Sequence, residues 1–310
     1  MNQFVISSWD FSADVASPVE SHDKLRSGCW YHCQRDDERL KDWLTEQSIP
    51  TAMIDSLLAD DTRPRFEQFA EDCFLIILRG INLNHNADPD DMLSLRILWF
   101  KGALISTRKI PSRAVNNLIK RLESGQGPSN LSSLLLEMVN GVNTIIAEFL
   151  TPVEEQIDHL ETAENVDLST INLLHSRLLR LRRYLKPQRY VFEDLIAADV
   201  TPLTSNHNHF KNSLDTVIRL NESIEFYLEQ ISVFLNSVSQ QQAERMNRNT
   251  YLFSVVAGLF LPAGFFTGLL GVNIGGIPGV DNPWAFTLFC LGLLGIVAIE
   301  VIVLKKLKFI

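Results

Sequence analysis

Two stretches, 251-YLFSVVAGLFLPAGFFTGLL-270 and 284-WAFTLFCLGLLGIVAIEVIVL-304, decide how this chain is to be read. Together they carry one charged side chain, Glu300, whereas charged residues recur every few positions from the N-terminus through Arg248. At about 1.5 Å rise per residue, a helix of ~20 residues covers the ~30 Å hydrocarbon core of a bilayer. Both stretches are apolar on every face, which suits lipid better than the one-sided burial of a helix in a soluble domain. The chain is therefore expected to be an integral membrane protein with two C-terminal spans.

The flanks set the expected orientation. Arg245 and Arg248 precede the first span, Lys305, Lys306 and Lys308 follow the second, and the connection between them has no Lys or Arg, so both termini should face the cytoplasm. Met1 to Ile6 lacks the basic and long apolar regions of a secretory signal, so the large N-terminal portion is expected to stay in the cytoplasm. Cys29, Cys33, Cys73 and Cys290 are too few and scattered for a disulfide framework. A formal charge of -9 argues against nucleic acid as a partner and favours cations near the surface.

Upstream, β-rich runs at 28–35, 65–69, 73–83, 93–100 and 103–108 alternate with helical ones, and Lys101-Gly102 reads as a hairpin turn. Asp36 is placed to cap a helix through Gln47, and Pro111 to open one running to about Ser124. Gly125-Gln126-Gly127-Pro128 breaks the pattern, and the chain beyond it turns helical: 131–164, 168–198, and a segment from near Phe210. In that last segment Leu214, Val217, Asn221, Ile224, Leu228, Ile231, Leu235 and Val238 repeat at three- and four-residue steps, with no proline before Pro262. The first span is thus the end of a long stalk helix. Glu154, Glu155, Asp158, Glu161 and Glu164 on one helix and Arg177, Arg180, Arg182, Arg183, Lys186 and Arg189 on the next suggest antiparallel pairing; the alternative is that Glu155, Asp158 and Glu161 attract divalent cations.

A single hairpin of spans leaves any polar lumen open to lipid, so a pore requires several chains. At 100° per residue, Thr250, Phe253, Ala257, Leu261, Gly264, Gly268 and Gly271 share one direction of the first span. Such a stripe permits close approach around an axis, with Phe253 and Leu261 as hydrophobic constrictions; small residues at this spacing also make ordinary helix contacts. After it come Gly271-Val272-Asn273 and a glycine-rich connection whose only charge is Asp281. A ring of Asn oxygens holds a hydrated cation without the tight grip of carboxylates. Other positions have ordinary readings. Cys29-Trp30-Tyr31-His32-Cys33 on a strand puts the thiols on one side and His32 on the other, so core packing is expected. His207 and His209 are expected in a solvated loop, and Glu300 near Lys305 and Lys306 is expected to pair or snorkel, with proton coupling as its functional alternative. There is no Walker loop, dinucleotide fingerprint or Ser-His-Asp order, so no enzymatic activity is expected.

A C-terminal pair of spans with Gly-x-Asn closing the first resembles the CorA superfamily of divalent-cation transporters. Gly271-Val272-Asn273 with Gly275-Gly276-Ile277-Pro278-Gly279 is similar to its zinc-transporting, ZntB-like branch, the magnesium branch usually having Gly-Met-Asn. Thr62-Arg63-Pro64-Arg65, Leu104-Ile105-Ser106-Thr107-Arg108 and Arg182-Arg183-Tyr184-Leu185-Lys186-Pro187-Gln188-Arg189 extend the likeness in family order. The resemblance implies a homopentameric, CorA-like funnel: an α+β cytoplasmic domain followed by long stalk helices and two transmembrane helices. It places Asn273 at the outer mouth as the metal-facing residue and Asn236, Ser239, Ala243 and Met246 along the cytoplasmic end of the path; an acidic residue usual in the magnesium branch is replaced by Asn236. The expected segments are 1–127 (α/β), 128–250 (helical domain and stalk), 251–272 (pore-lining span), 273–283 (external connection), 284–304 (second span) and 305–310 (basic tail). The implied cargo is zinc, with cobalt, nickel and cadmium as further candidates, and no resident cofactor. The implied partners are other copies of the chain, divalent cations and the bilayer, the implied location being a bacterial inner membrane crossed by both spans. Proton-coupled uptake is the favoured direction, efflux being its alternative. A magnesium or cobalt channel of the same architecture and a membrane-anchored metal sensor are the competing readings.

Overall fold

The computed structural model describes residues 4–60, 62–159, 167–198, 200–272, 279 and 281–306. It divides into two compact units, Met1–Phe234 and Leu235–Ile310.

The first unit holds a seven-stranded sheet. Its strands are β1 (Val5–Asp10), β2 (Ser17–Pro18), β3 (Cys29–Gln34), β4 (Arg65–Ala70), β5 (Cys73–Gly80), β6 (Leu93–Phe100) and β7 (Ala103–Arg108), in the order β2-β1-β3-β7-β6-β5-β4. Only β3 and β7 run parallel, Trp30 lying beside Leu104 and Gln34 beside Arg108. The Lys101-Gly102 turn joins β6 to β7 with both residues at positive φ, 47° and 78°, the twist that a tight two-residue hairpin requires. A side chain at Gly102 would also collide with Ser27 Oγ.

Strand alternation sorts the side chains. Cys29, Tyr31 and Cys33 of β3 join Leu75, Ile77, Leu98 and Ile105 in a core covered by α1 (Glu38–Glu46) and α2 (Thr51–Leu58) through Leu40, Trp43, Leu44, Ile54 and Leu57. Trp30 and His32 point the other way, and both meet Ser106: the indole Nε1 donates to its Oγ at 2.8 Å, and His32 Nδ1 lies 2.8 Å from the same oxygen. The expected core packing of the Cys-His cluster is what the fold contains.

Helix α3 (Arg113–Glu123) packs on α4 (Leu131–Asp158), and α4 and α5 (Leu168–Ala197) pack on the β4–β5 side of the sheet. A short 3-10 helix (Thr201–Asn206) then leads into α6, which runs from His207 to Leu270. Helix α4 is long and apolar enough to cross a membrane. Its Leu134, Leu135, Met138, Val139, Val142 and Ile146 are nevertheless buried within the unit, so it is a core helix. In α6 the expected seam holds where it meets the unit: Val217, Ile224, Leu228 and Ile231 are buried, and Asn221 Nδ2 donates to Leu185 O of α5 at 3.1 Å.

Several expectations need correction. Strands β1 and β2 form from the first two dozen residues, which contain no long apolar run, because β1 borrows its register from β3. Asp37, not Asp36, caps α1, accepting from Arg39 N at 3.1 Å. His207 and His209 belong to α6 rather than to a loop. The basic face of α5 does not pair with the acids of α4 among the described residues. Arg177 and Arg180 hold Asp90, whose side chain is 4% exposed, in the β5–β6 connection, while Lys186 pairs with Glu225 of α6 and Arg189 with Glu193 of its own helix. The sheet-side packing of α5 turns its arginines toward that connection instead of toward α4.

Candidate permeation surface

The second unit consists of the end of α6 and of α7 (Ala285–Lys306), both long and apolar enough to cross a membrane. The hydroxyls in the first span turn back onto their own helix: Ser254 Oγ donates to Thr250 O at 2.9 Å and Thr267 Oγ1 to Gly264 O at 3.0 Å. Such back-bonding satisfies a hydroxyl where no water is available. Pro262 lies inside the helix and has no N–H to give the carbonyl one turn before it. The last turn closes with Gly271 N donating to Thr267 O at 3.0 Å.

One side of the first span is partly covered, at Val255, Leu259, Pro262 and Ala263. At 100° per residue that side points about 180° away from the centre of the Thr250, Phe253, Ala257, Leu261, Gly264 and Gly268 stripe. All six stripe residues are exposed in the single chain, Phe253 by 76% and Leu261 by 71%. Asn236, Ser239, Ala243 and Met246 are exposed on the same helix, and exposure is unbroken from Ser239 to Ser254. The helix therefore presents a continuous surface of small, polar and three bulky apolar residues that its own chain leaves uncovered.

Beyond the helix end, Gly271 and Val272 are exposed. Asn273 lies outside the described residues, as does Glu161. Glu155 and Asp158 lie at the exposed end of α4, and among the described residues no three His, Cys, Asp or Glu side chains converge as metal ligands do. A residue the motif reading missed is Asn282: its Oδ1 accepts from Trp284 N at 2.9 Å and its carbonyl from Ala285 N at 3.0 Å, so it fixes the start of α7. Its position just before an apolar run is the signal that would have found it.

Helix α7 has a partly covered face as well, running through Phe289, Leu293, Ile296, Val297, Glu300 and Leu304 at three- and four-residue steps; Leu291, Leu294, Ile299 and Ile302 face outward. Glu300 is thus on the covered side. Its Oε2 is enclosed without a hydrogen-bond partner, and among the described residues no Lys or Arg pairs with it, in contrast to the expected pairing with Lys305 or Lys306.

Residues 26–306 match the family model described as CorA-like Mg2+ transporter protein. The chain is 41% identical over 309 residues to a protein of Vibrio parahaemolyticus serotype O3:K6 (strain RIMD 2210633) named "Zinc transport protein ZntB", covering 99% of this chain and 97% of that one. The crystal structure of the ZntB cytoplasmic domain from Vibrio parahaemolyticus RIMD 2210633 superposes with a TM-score of 0.74 at 39% identity, over 78% of this chain and 99% of that domain. The structure of the full-length CmaX protein superposes with a TM-score of 0.84 at 30% identity, over 99% of both chains.

Proposed function

Because the chain belongs to the family of CorA-like Mg2+ transporter proteins, we propose that it carries zinc across a membrane through a pore at the axis of a homopentamer. The observation that carries the zinc reading is the 41% identity, end to end, with a named zinc transport protein. The pore reading is supported by the uncovered stripe of the first span, which lies opposite the side its own chain covers. Two spans cannot enclose water by themselves, so copies of this surface must face one another.

Around such an axis the small side chains at Ala257, Gly264 and Gly268 let helices approach, while Phe253 and Leu261 narrow the path and gate it by excluding water. Asn273 offers neutral oxygens to a hydrated ion at the outer mouth, and Asn236 and Ser239 do so toward the cytoplasm. Neutral oxygens hold a divalent cation weakly enough for it to leave again. Glu155, Asp158 and Glu161 add negative potential that concentrates cations without forming a resident site. The cytoplasmic unit and both termini lie inside the cell, supported by the basic flanks at Arg245, Arg248, Lys305 and Lys306. Transport is uptake coupled to protons.

The test is flux into liposomes containing the purified chain and a zinc indicator, with and without an inward pH gradient. Zinc entry that accelerates with external acid is expected. Flux of magnesium without zinc would point to a channel of the magnesium type, and absence of flux for every divalent ion would leave a membrane-anchored sensor.

A further inference from the structure

Glu300 is the one charged side chain in either span, and its placement is specific. It lies on the partly covered face of α7, in line with Ile296, Val297 and Leu304, rather than on the face where Ile299 and Ile302 look outward. A carboxylate that merely snorkels turns toward the headgroups or finds a lysine. Among the described residues Glu300 finds no lysine: Oε2 is enclosed without a hydrogen-bond partner, and Lys305 and Lys306, the charged groups at the end of its own helix, make no ion pair with it. The other helix of this unit, α6, contributes Arg245, Arg248 and Tyr251 at the same membrane face, and nothing titratable from Leu252 to Leu270. Cys290, also on the half-covered side of α7, is ten residues away, or about 15 Å along the helix.

An ionisable side chain inside a membrane span marks a functional position, and a carboxyl group there is an acceptor only when charged and also a donor when protonated. The same side chain therefore gives the covered face of α7 two states, charged and neutral. We propose that Glu300 is a protonation gate on transport: zinc passes in the state with Glu300 as the carboxylic acid, and the carboxylate state is arrested. This rests on the zinc-transport reading above and names the group through which protons act on it.

The experiment uses the full chain in liposomes, zinc entry being followed as pH is varied from acidic to mildly alkaline. For wild type, flux should fall about tenfold per pH unit above its midpoint, as the acid form of a single site does. In Glu300→Gln the neutral amide should hold flux at the wild-type acid level at every pH. In Glu300→Asp, where the carboxyl is withdrawn by one methylene, pH dependence should persist with a displaced midpoint. A wild-type pH profile in Glu300→Gln, or an unmoved midpoint in Glu300→Asp, overturns the inference; the second arm decides if the Gln variant does not assemble. Zinc flux indifferent to pH in wild type also overturns it while leaving the transport reading intact. No zinc flux from wild type at any pH removes both.

Discussion

His32 shows what a single position can store. The imidazole is fully buried against Ser106, and its pKa is pushed down from 6.5 to about 3 by burial, with the nearby Arg108 guanidinium adding to the effect. Between those two values the unfolded chain binds a proton at this position and the folded chain does not. Stability contributed here is present above pH 6.5 and is lost as pH falls toward 3, at up to ~1.4 kcal/mol per unit. Thermal unfolding of the detergent-solubilised protein across that window should show this slope, and His32→Gln should flatten it; an unchanged slope would assign the acid sensitivity elsewhere. Strand alternation alone separated His32 from Cys29 and Cys33. Its partner Ser106 was not legible, because the two meet only through the parallel pairing of β3 with β7, which is a matter of strand order rather than local pattern.

Among the elements, the link between α5 and the β5–β6 connection is the one with a clear energetic consequence. Asp90 is nearly buried and is held by Arg177 and Arg180, the second pairing being the closer. Removing both arginines would leave an enclosed carboxylate unpaired, which costs on the order of 3–5 kcal/mol when burial is complete. The double variant Arg177→Ala/Arg180→Ala should therefore unfold at markedly lower temperature and become cleavable by protease between Asn82 and Met92, whereas Asp90→Asn should be milder because the arginines remain partly solvated. Equal sensitivity of the two variants would contradict this account. The helices themselves were readable, since α6 repeats apolar residues at heptad spacing and β5 to β7 alternate or run apolar between turn residues. The pairing of α5 was misread because charge pattern shows which residues seek partners but not which way packing turns the helix that carries them.

At the level of the whole molecule, the spans were the most legible feature and the assembly the least. Length and uniform apolarity marked α6 and α7, while the same criteria also fit α4, which only burial distinguishes. The stripe from Thr250 to Gly268 was found by angular projection, yet the companions proposed for it belong to other chains and leave no trace in one sequence. Cysteines placed singly at Gly264 or Leu261, in a protein with Cys290→Ser, should form disulfides between chains on oxidation. At Val255 or Leu259, on the opposite side, they should not; cross-linking without regard to face would dissolve the axial arrangement. The three cysteines of the first unit carry a different implication. Cys29, Cys33 and Cys73 are all buried, and burial pushes each thiol above its ordinary range. Zinc binds the thiolate and not the thiol, so under the proposed zinc transport the three thiols stay protonated and out of reach of the cargo.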